Sequence, residues 1–183
     1  VTWGEDTIHI VGLRIDAENA GLVDGLARTR NGRVERAREM SDQLAKVGID
    51  GAFEGASYYA GNPALTRRTH FARYPIELGL FSEVGDVFKK YLSSGKPGYV
   101  PMQWATLADA IDWIVGAGGV AIVAHPGRYK LSDTALHAFL DEFKERGGKA
   151  IEVVTGSHTP DQYRKFATLA QHYGFMASRG SDF

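Results

Sequence analysis

The stretch Ala121–Tyr129 reads AIVAHPGRY and indicates the fold more strongly than any other part of the chain. A short apolar run ends there at His125, and the following Pro-Gly pair forces a sharp turn. The pattern recurs in AIEVV, which holds Glu152, and in MAS, which precedes Asp182. In a parallel α/β sheet or barrel the carboxyl ends of the strands open on one face, where functional groups collect.

Helix-like and strand-like segments alternate through the last third of the sequence. Apolar spacing and capping residues predict, in order, a helix from Thr106, a strand over Val120–Ala124, a helix capped by Ser132 or Asp133, a strand over Ala150–Val154, a helix from Thr159 and a strand near 175–178. This alternation is typical of parallel α/β architecture.

The rest of the chain follows a different pattern. Thr7–Leu13 predicts a strand that contains His9, and two helices are expected, one over 17–30 that Gly21 and Gly25 interrupt and one over 33–47. Residues 48–104 have helical spacing joined by connections rich in Gly, Ser and Pro. We therefore expect a sheet or barrel portion at 1–20 and 105–183, and a mainly helical insertion or cap at 21–104.

Composition narrows the possible functions. The 183 residues are 44% hydrophobic with a net charge of −1, so no global field recruits nucleic acid or an anionic membrane. The absence of cysteine excludes disulfides and thiolate metal sites, so a metal site must use His and carboxylates. No 18-residue apolar run is present, and we expect a cytoplasmic protein without membrane contact. A start at Val1 and an end beside Asp182 predict a longer natural polypeptide.

Four residues are candidates for a metal or catalytic site, and each has a structural alternative. His125 and Asp182 stand at predicted strand ends, where a divalent-metal hydrolase needs such ligands, but they could instead cap a loop and a helix. His9 lies within a strand, where a lone His is more often structural. Glu152, inside an apolar run, must be paired, protonated or bound to metal.

Basic residues suggest a phosphate-containing ligand. Six lysines and arginines lie between Arg67 and Lys96, and Arg128 follows His125 by three residues. Such groups bind phosphate through charge-assisted hydrogen bonds, although a solvated helix face would look similar. His158 stands just before a predicted helix N-terminus, which favours anions, but an exposed loop His fits equally well.

Several stretches together resemble one known superfamily. Six stretches are similar to motifs of the PHP (polymerase and histidinol phosphatase) superfamily. They are TIHIVGL, RRTHFARYPIELG, VFKKYLSSGKPGYVP, AIVAHPGRYKL, AIEVVTGSHTPDQ and GSDF. More narrowly, they resemble its bacterial branch of nucleoside 3′,5′-bisphosphate phosphatases, related to a 5′→3′ exoribonuclease. AHPGR and SDF are shared across the superfamily, whereas RTHFAR with GKPGYV is more specific to this branch.

The resemblance implies a distorted TIM-like (β/α)7 barrel, partial in this chain, with two or three divalent metal ions at the strand ends. Manganese is the first expectation, and iron, zinc or magnesium are alternatives. The resemblance implies His9, His125 and Asp182 as metal ligands, the last two also catalytic. It also implies six residues that bind the substrate phosphate: Arg68, Thr69, His70, Arg73, Lys96 and Arg128. We add His158 to this set because of its position before a helix N-terminus.

The resemblance also has gaps. The superfamily has an HxH…SDG motif, a further His and a bridging Glu before the position of His9, and this sequence contains none of them there. The His expected after Phe183 is also missing. We expect a metal-dependent hydrolase that removes the 3′-phosphate of nucleoside bisphosphates or trims short RNA, with no obligate protein partner. A phosphate-binding module without turnover and a metal-dependent amidohydrolase are the alternatives.

Overall fold

The computed structural model describes residues 1–181. These divide into two compact units, one formed by Val1–Leu26 together with the chain from Trp104 onward, and the other by Ala27–Gln103. Asp182, a predicted ligand, lies outside the described residues. No helix among residues 1–181 combines the length and apolar character needed to cross a membrane.

The first unit is built on a four-stranded sheet. A short antiparallel hairpin precedes it, formed by β1 (Thr2–Trp3) and β2 (Asp6–Thr7). The sheet has the order β3-β4-β5-β6, formed by Ile10–Leu13, Val120–Val123, Ala150–Thr155 and Met176–Gly180. The last three strands are parallel, and β3 runs antiparallel to β4.

Strand β3 corrects the sequence prediction in two ways. It begins at Ile10, so His9 precedes the strand instead of lying inside it. It is also antiparallel, because apolar alternation fixes which residues share a face and not the direction of the chain. The α/β class and the three later strands are confirmed. The strands of residues 1–181 form a two-stranded and a four-stranded sheet without closing into a barrel, so the (β/α)7 barrel, of which this chain was expected to hold a part, stays a prediction.

Seven α-helices lie within the described residues. They are α1 (Ala20–Ala45), α2 (Ala52–Ala60), α3 (Arg68–Glu77), α4 (Val84–Val87), α5 (Leu107–Gly116), α6 (Asp133–Glu145) and α7 (Pro160–Tyr173). Thr106, Ser132 and Thr159 cap the last three through their hydroxyl oxygens, as the sequence predicted.

The two helices expected over 17–30 and 33–47 are one continuous helix. The prediction of a break at Gly25 was wrong, since this glycine serves packing. A Cβ at Gly25 would stand 2.3 Å from the ring of Trp113. The helix therefore tolerates the entropic cost of glycine, roughly 1 kcal/mol, because the indole fills the space beside it.

Each unit has its own hydrophobic core. In the first, α5 packs on β4 and α7 on β5 and β6, around the fully buried Ile111, Phe139, Phe143 and Ile151. In the second, α2 packs on α3, and the core contains Met40, Leu44, Phe71, Val87 and Leu92. The apolar periodicity that predicted these helices therefore reflects burial in two separate cores, one in each unit.

Trp3→Phe is expected to reduce the stability of the first unit in a pH-dependent way. The indole N–H of Trp3 donates to Glu142 Oε2 at 2.8 Å. This bond, followed by one from Arg146, lowers the pKa of Glu142. Since a depressed carboxyl pKa stabilises the fold above the unfolded value of about 4.3, the contribution is lost as the pH falls through the folded value.

We expect Trp3→Phe to cost about 1 kcal/mol of unfolding free energy at pH 7, a figure reduced for the partial exposure of the carboxylate. The difference from wild type should shrink near pH 3. Urea denaturation at pH 7 and pH 3 measures this difference in unfolding free energy. Glu142→Gln is the matched variant, because it changes the acceptor of the same hydrogen bond. A deficit of the same size at both pH values would contradict the assignment.

Candidate metal centre and phosphate-binding residues

The two predicted histidine ligands converge at one edge of the sheet. Because β4 to β6 are parallel and β3 is antiparallel, the carboxyl end of β4 and the amino end of β3 lie at the same edge. The Ala124 N–H donates to the His9 carbonyl at 3.0 Å. The rings then approach, with His125 Nε2 3.0 Å from His9 Nδ1.

This donor pair fits a divalent metal ion. The 3.0 Å separation is that of a hydrogen bond between the two rings, and it also matches the roughly 3.0–3.4 Å expected for two imidazole nitrogens bound to one ion at about 2.1 Å. His125 is buried, which would shield the ion on one side, and His9 is exposed. Within residues 1–181 no group of three or more His, Asp or Glu could hold a metal. The other predicted ligand is Asp182.

His125 adopts a strained backbone conformation, and a carboxylate holds it there. Its φ of 30° is in the left-handed region, which is unfavourable for a residue with a Cβ. Its N–H donates to Glu152 Oε2 at 2.7 Å. Such strain persists where the surroundings enforce it and is common at functional sites. Glu152 is thus a positioning residue for His125.

His158 supports the turn that follows His125. The Gly127 N–H donates to His158 Nε2 at 2.9 Å, so the proton lies on Nδ1, which donates to the Val153 carbonyl at 3.0 Å. The buried ring also stacks on Phe166. Because both ring nitrogens bond within the protein, this geometry favours a structural role over the phosphate-binding role expected from the sequence.

Gln162 completes the support of this turn. Its Nε2 donates to the Gly127 carbonyl at 3.1 Å, and its Oε1 accepts from the Thr159 N–H at 2.8 Å. The sequence identified Gln162 only as part of a capping box, because its second contact lies 35 residues away. Arg128 is exposed at the end of the turn, where its backbone N–H donates to the His125 carbonyl.

Tyr129 joins the two histidine-bearing segments and was not identified from the sequence. Its hydroxyl accepts from the His9 N–H at 2.9 Å and donates to the Ala124 carbonyl at 2.8 Å. The phenol thus fastens the start of β3 to the end of β4. It lies within the quoted AIVAHPGRY stretch, but nothing in that motif shows that its partner is His9.

Tyr129→Phe is expected to weaken Mn²⁺ binding about tenfold, since residues that orient metal ligands have effects of this size. It should also cost about 1 kcal/mol of unfolding free energy, because the His9 N–H and the Ala124 carbonyl lose their shared partner. Calorimetric titration with Mn²⁺ measures the first effect. Tyr163→Phe, which removes a bond to the Thr155 carbonyl, is the matched control. Unchanged Mn²⁺ affinity in Tyr129→Phe would contradict the positioning role.

The other predicted phosphate ligands lie in the unit Ala27–Gln103. Arg68 is half-buried, its Nη1 donates to the Leu92 carbonyl, and its guanidinium lies 5.5 Å from the centre of the Tyr99 ring. Lys96 belongs to the same turn as Tyr99, whose N–H donates to the Lys96 carbonyl. The structure thus brings Arg68 close to the turn that carries Lys96.

Thr69, His70 and Arg73 lie on α3 together with Arg68. Arg73 lies over the ring of Tyr59, on α2, at 5.8 Å. His70 Nδ1 accepts the Arg67 N–H at the start of α3, and burial, followed by Arg73 and Arg67, lowers the pKa of His70. Thr69 is exposed in the first turn of the helix.

Comparison with known proteins gives related sequences, whereas no family model matches the chain. It is 50% identical over 183 residues to a 3′,5′-nucleoside bisphosphate phosphatase of Chromobacterium violaceum, covering all of this chain and 64% of that protein. It is 45% identical over 181 residues to the 5′-3′ exoribonuclease Rnm of Escherichia coli, covering 99% of this chain and 61% of the relative.

Two solved structures are similar to this chain. One is an amidohydrolase from Chromobacterium violaceum with bound sulfate and no metal, at 50% identity and a TM-score of 0.79, covering 100% of this chain and 64% of that one. The other is described as a metal-dependent phosphoesterase from Bifidobacterium adolescentis, at 26% identity and a TM-score of 0.69, covering 98% and 64%. The chain is therefore similar over nearly its whole length to bacterial hydrolases, and it spans less than two thirds of each of them.

Proposed function

We propose that this chain carries part of a metal-dependent phosphoesterase centre that hydrolyses phosphate esters of nucleotides. The observation that supports it best is the 3.0 Å approach of His9 Nδ1 and His125 Nε2 at the strand ends. The names of the relatives, a nucleoside bisphosphate phosphatase and an exoribonuclease, support nucleotide or short RNA substrates. We further propose the PHP barrel as the complete fold, with 21–104 as its insertion.

In this proposal His9, His125 and Asp182 hold divalent metal ions. A bound ion of this kind supplies a Lewis acid and a hydroxide nucleophile at neutral pH. The chain's own residues do the rest. Glu152 fixes the backbone of His125, and His158 and Gln162 hold the turn at Gly127. Arg128, exposed on that turn, donates hydrogen bonds to a substrate phosphate.

Removal of the 3′-phosphate from a nucleoside 3′,5′-bisphosphate is the first proposed reaction, and 5′→3′ trimming of short RNA is the second. Both break a phosphate ester, so one centre suffices for the two. Arg68, Thr69, His70, Arg73 and Lys96 stay predicted phosphate ligands. Manganese and a cytoplasmic location also stay predictions.

The test is phosphate release from adenosine 3′,5′-bisphosphate with Mn²⁺, using this chain with the natural sequence that flanks it. We expect release that EDTA abolishes and that Mn²⁺ restores. A 5′-phosphorylated oligoribonucleotide tests exonuclease activity, and an amide substrate tests the amidohydrolase alternative, which the name of one similar structure favours. Nucleotide binding without hydrolysis of any substrate would leave only the binding module.

A further inference from the structure

The two units differ in charge, and the unit Ala27–Gln103 is the basic one. Residues 27–103 hold 12 of the 21 lysines and arginines of the chain but only eight of its 22 aspartates and glutamates. The net charge of −1 for the whole chain conceals this segregation. A locally positive surface attracts the phosphate backbone of a nucleic acid even where the protein as a whole is nearly neutral.

Aromatic rings lie at the surface of the same unit. Of the nine tyrosines and phenylalanines in residues 27–103, Phe71 alone is buried, and the other rings are half-buried or exposed. Cations lie over several of them, including Arg38 over Phe53 at 4.6 Å and Arg73 over Tyr59 at 5.8 Å. Single-stranded nucleic acids bind to such surfaces, because the bases stack on the rings while the phosphates contact the cations.

One place in this unit combines an exposed ring, a cation and an open cleft. Tyr58 and Tyr59 are consecutive on α2, with ring centres 5.6 Å apart, and Tyr58 is 80% exposed. Tyr59 lines a cleft of about 340 Å³ together with Arg73, Ile76 and Glu77 of α3. This volume lies in the range of small-ligand sites, roughly 300–1,000 Å³. We call this place the Tyr58–Tyr59 cleft.

Contacts inside the Tyr58–Tyr59 cleft hold one ring and leave the other at the surface. The Tyr59 hydroxyl donates to Glu77 Oε2 at 2.5 Å, and Arg73 lies over the Tyr59 ring. Tyr58 is the ring that remains exposed to a ligand. Arg73 is exposed as well, and its guanidinium carries several donors for phosphate oxygens. A stacking surface and a phosphate donor therefore occur side by side, as the binding of one nucleotide of a strand requires.

We propose that the Tyr58–Tyr59 cleft binds single-stranded RNA, with one base stacked on Tyr58 and a backbone phosphate bound by Arg73. Arg73 was expected from the sequence to bind phosphate, whereas Tyr58 and Tyr59 were not identified. No residue of the cleft belongs to the histidine pair described above, so its role is to hold the strand and not to cleave it. That the strand is RNA rests on the proposed function, and stacking on Tyr58 does not.

Fluorescence anisotropy with a labelled oligoadenylate tests the cleft, using the chain with its natural flanking sequence. EDTA is present throughout, so that the strand is not hydrolysed. We expect Tyr58→Leu, which keeps an apolar side chain but removes the ring, to weaken binding about tenfold. Tyr58→Phe keeps the ring and should bind within about twofold of wild type. Wild-type affinity in Tyr58→Leu, an equal loss in Tyr58→Phe, or no binding of the strand by the wild-type protein would overturn the proposal.

The salt dependence of binding tests the phosphate contact. Each phosphate of a single strand that a cation neutralises contributes about 0.7 to the slope of log Kd against log salt concentration. We therefore expect Arg73→Gln to reduce this slope by about 0.7. Lys46→Gln, which removes an exposed charge of the same unit, is the matched control and should leave the slope unchanged. A wild-type slope in Arg73→Gln would overturn the assignment of the phosphate to Arg73.

Failure of this inference is distinguishable from failure of the proposed function, because phosphate release from adenosine 3′,5′-bisphosphate is measured separately with Mn²⁺. If the wild-type protein releases phosphate but Tyr58→Leu binds the strand normally, the RNA-binding cleft is wrong and the phosphoesterase stands. If the wild-type protein releases no phosphate yet binds the strand through Tyr58, the phosphoesterase fails and the cleft stands.

Discussion

Replacing His125 with alanine is expected to lower phosphate release from adenosine 3′,5′-bisphosphate by about a thousandfold or more. The imidazole of His125 supplies Nε2, which lies 3.0 Å from His9 Nδ1, so its loss removes one of the two described donor atoms. Lewis-acid stabilisation of the developing charge is worth several kcal/mol, and about 4 kcal/mol corresponds to this factor.

Metal content gives a second readout that does not depend on turnover. We expect dialysed His125→Ala to retain less Mn²⁺ than wild type, measured by elemental analysis. His172→Ala, an exposed histidine on α7, is the matched control and should keep both metal and activity. If His125→Ala retained wild-type turnover, the metal centre would have to lie elsewhere in the protein.

Glu152→Ala is expected to lower turnover by about 10–100-fold, the range found for groups that orient metal ligands. Its carboxylate accepts the N–H of a residue held at a φ of 30°, and without this acceptor the strained backbone can relax. A lost hydrogen bond to a charged group also costs about 1.5–3 kcal/mol of unfolding free energy. Guanidinium denaturation and steady-state kinetics measure the two effects.

Glu152→Gln separates positioning from charge. Glutamine keeps an acceptor oxygen for the His125 N–H, so it should recover most of the stability and part of the turnover. Gly180→Ala tests the same contact from the other side, because an added Cβ would stand 2.4 Å from Glu152 Oε1. Equal activity of Glu152→Ala and wild type would show that Pro126 and the rest of the turn hold His125 without the carboxylate.

The sequence predicted the elements whose signals are local. Thr159 with Gln162 specified the start of α7, and the run before His125 specified a buried strand. Helical spacing predicted α6, and its buried residues lie in the core of the first unit. These features depend on contacts within a few residues, which a periodic pattern records directly.

Features that depend on long-range contacts were not predictable. The direction of β3 depends on its pairing with β4, more than 100 positions later, and the break expected at Gly25 ignored Trp113. Tyr129 and Glu152 act on His9 and His125 through single hydrogen bonds that no motif encodes. The Arg36 bond to the Val100 carbonyl showed no signal either, because the two residues lie 64 positions apart.

The antiparallel start of the sheet has a consequence for folding. His9 and His125 are separated by 116 positions, so their approach closes a long loop. Loop-closure entropy grows only logarithmically, and this loop costs roughly 1 kcal/mol more than a flexible loop a third as long. The unit Ala27–Gln103 has a core of its own, so the interval need not be a flexible chain at all. Both histidines would therefore bind one ion only after β3 and β4 have paired, and no folding intermediate that lacks this pairing would hold the ion between them.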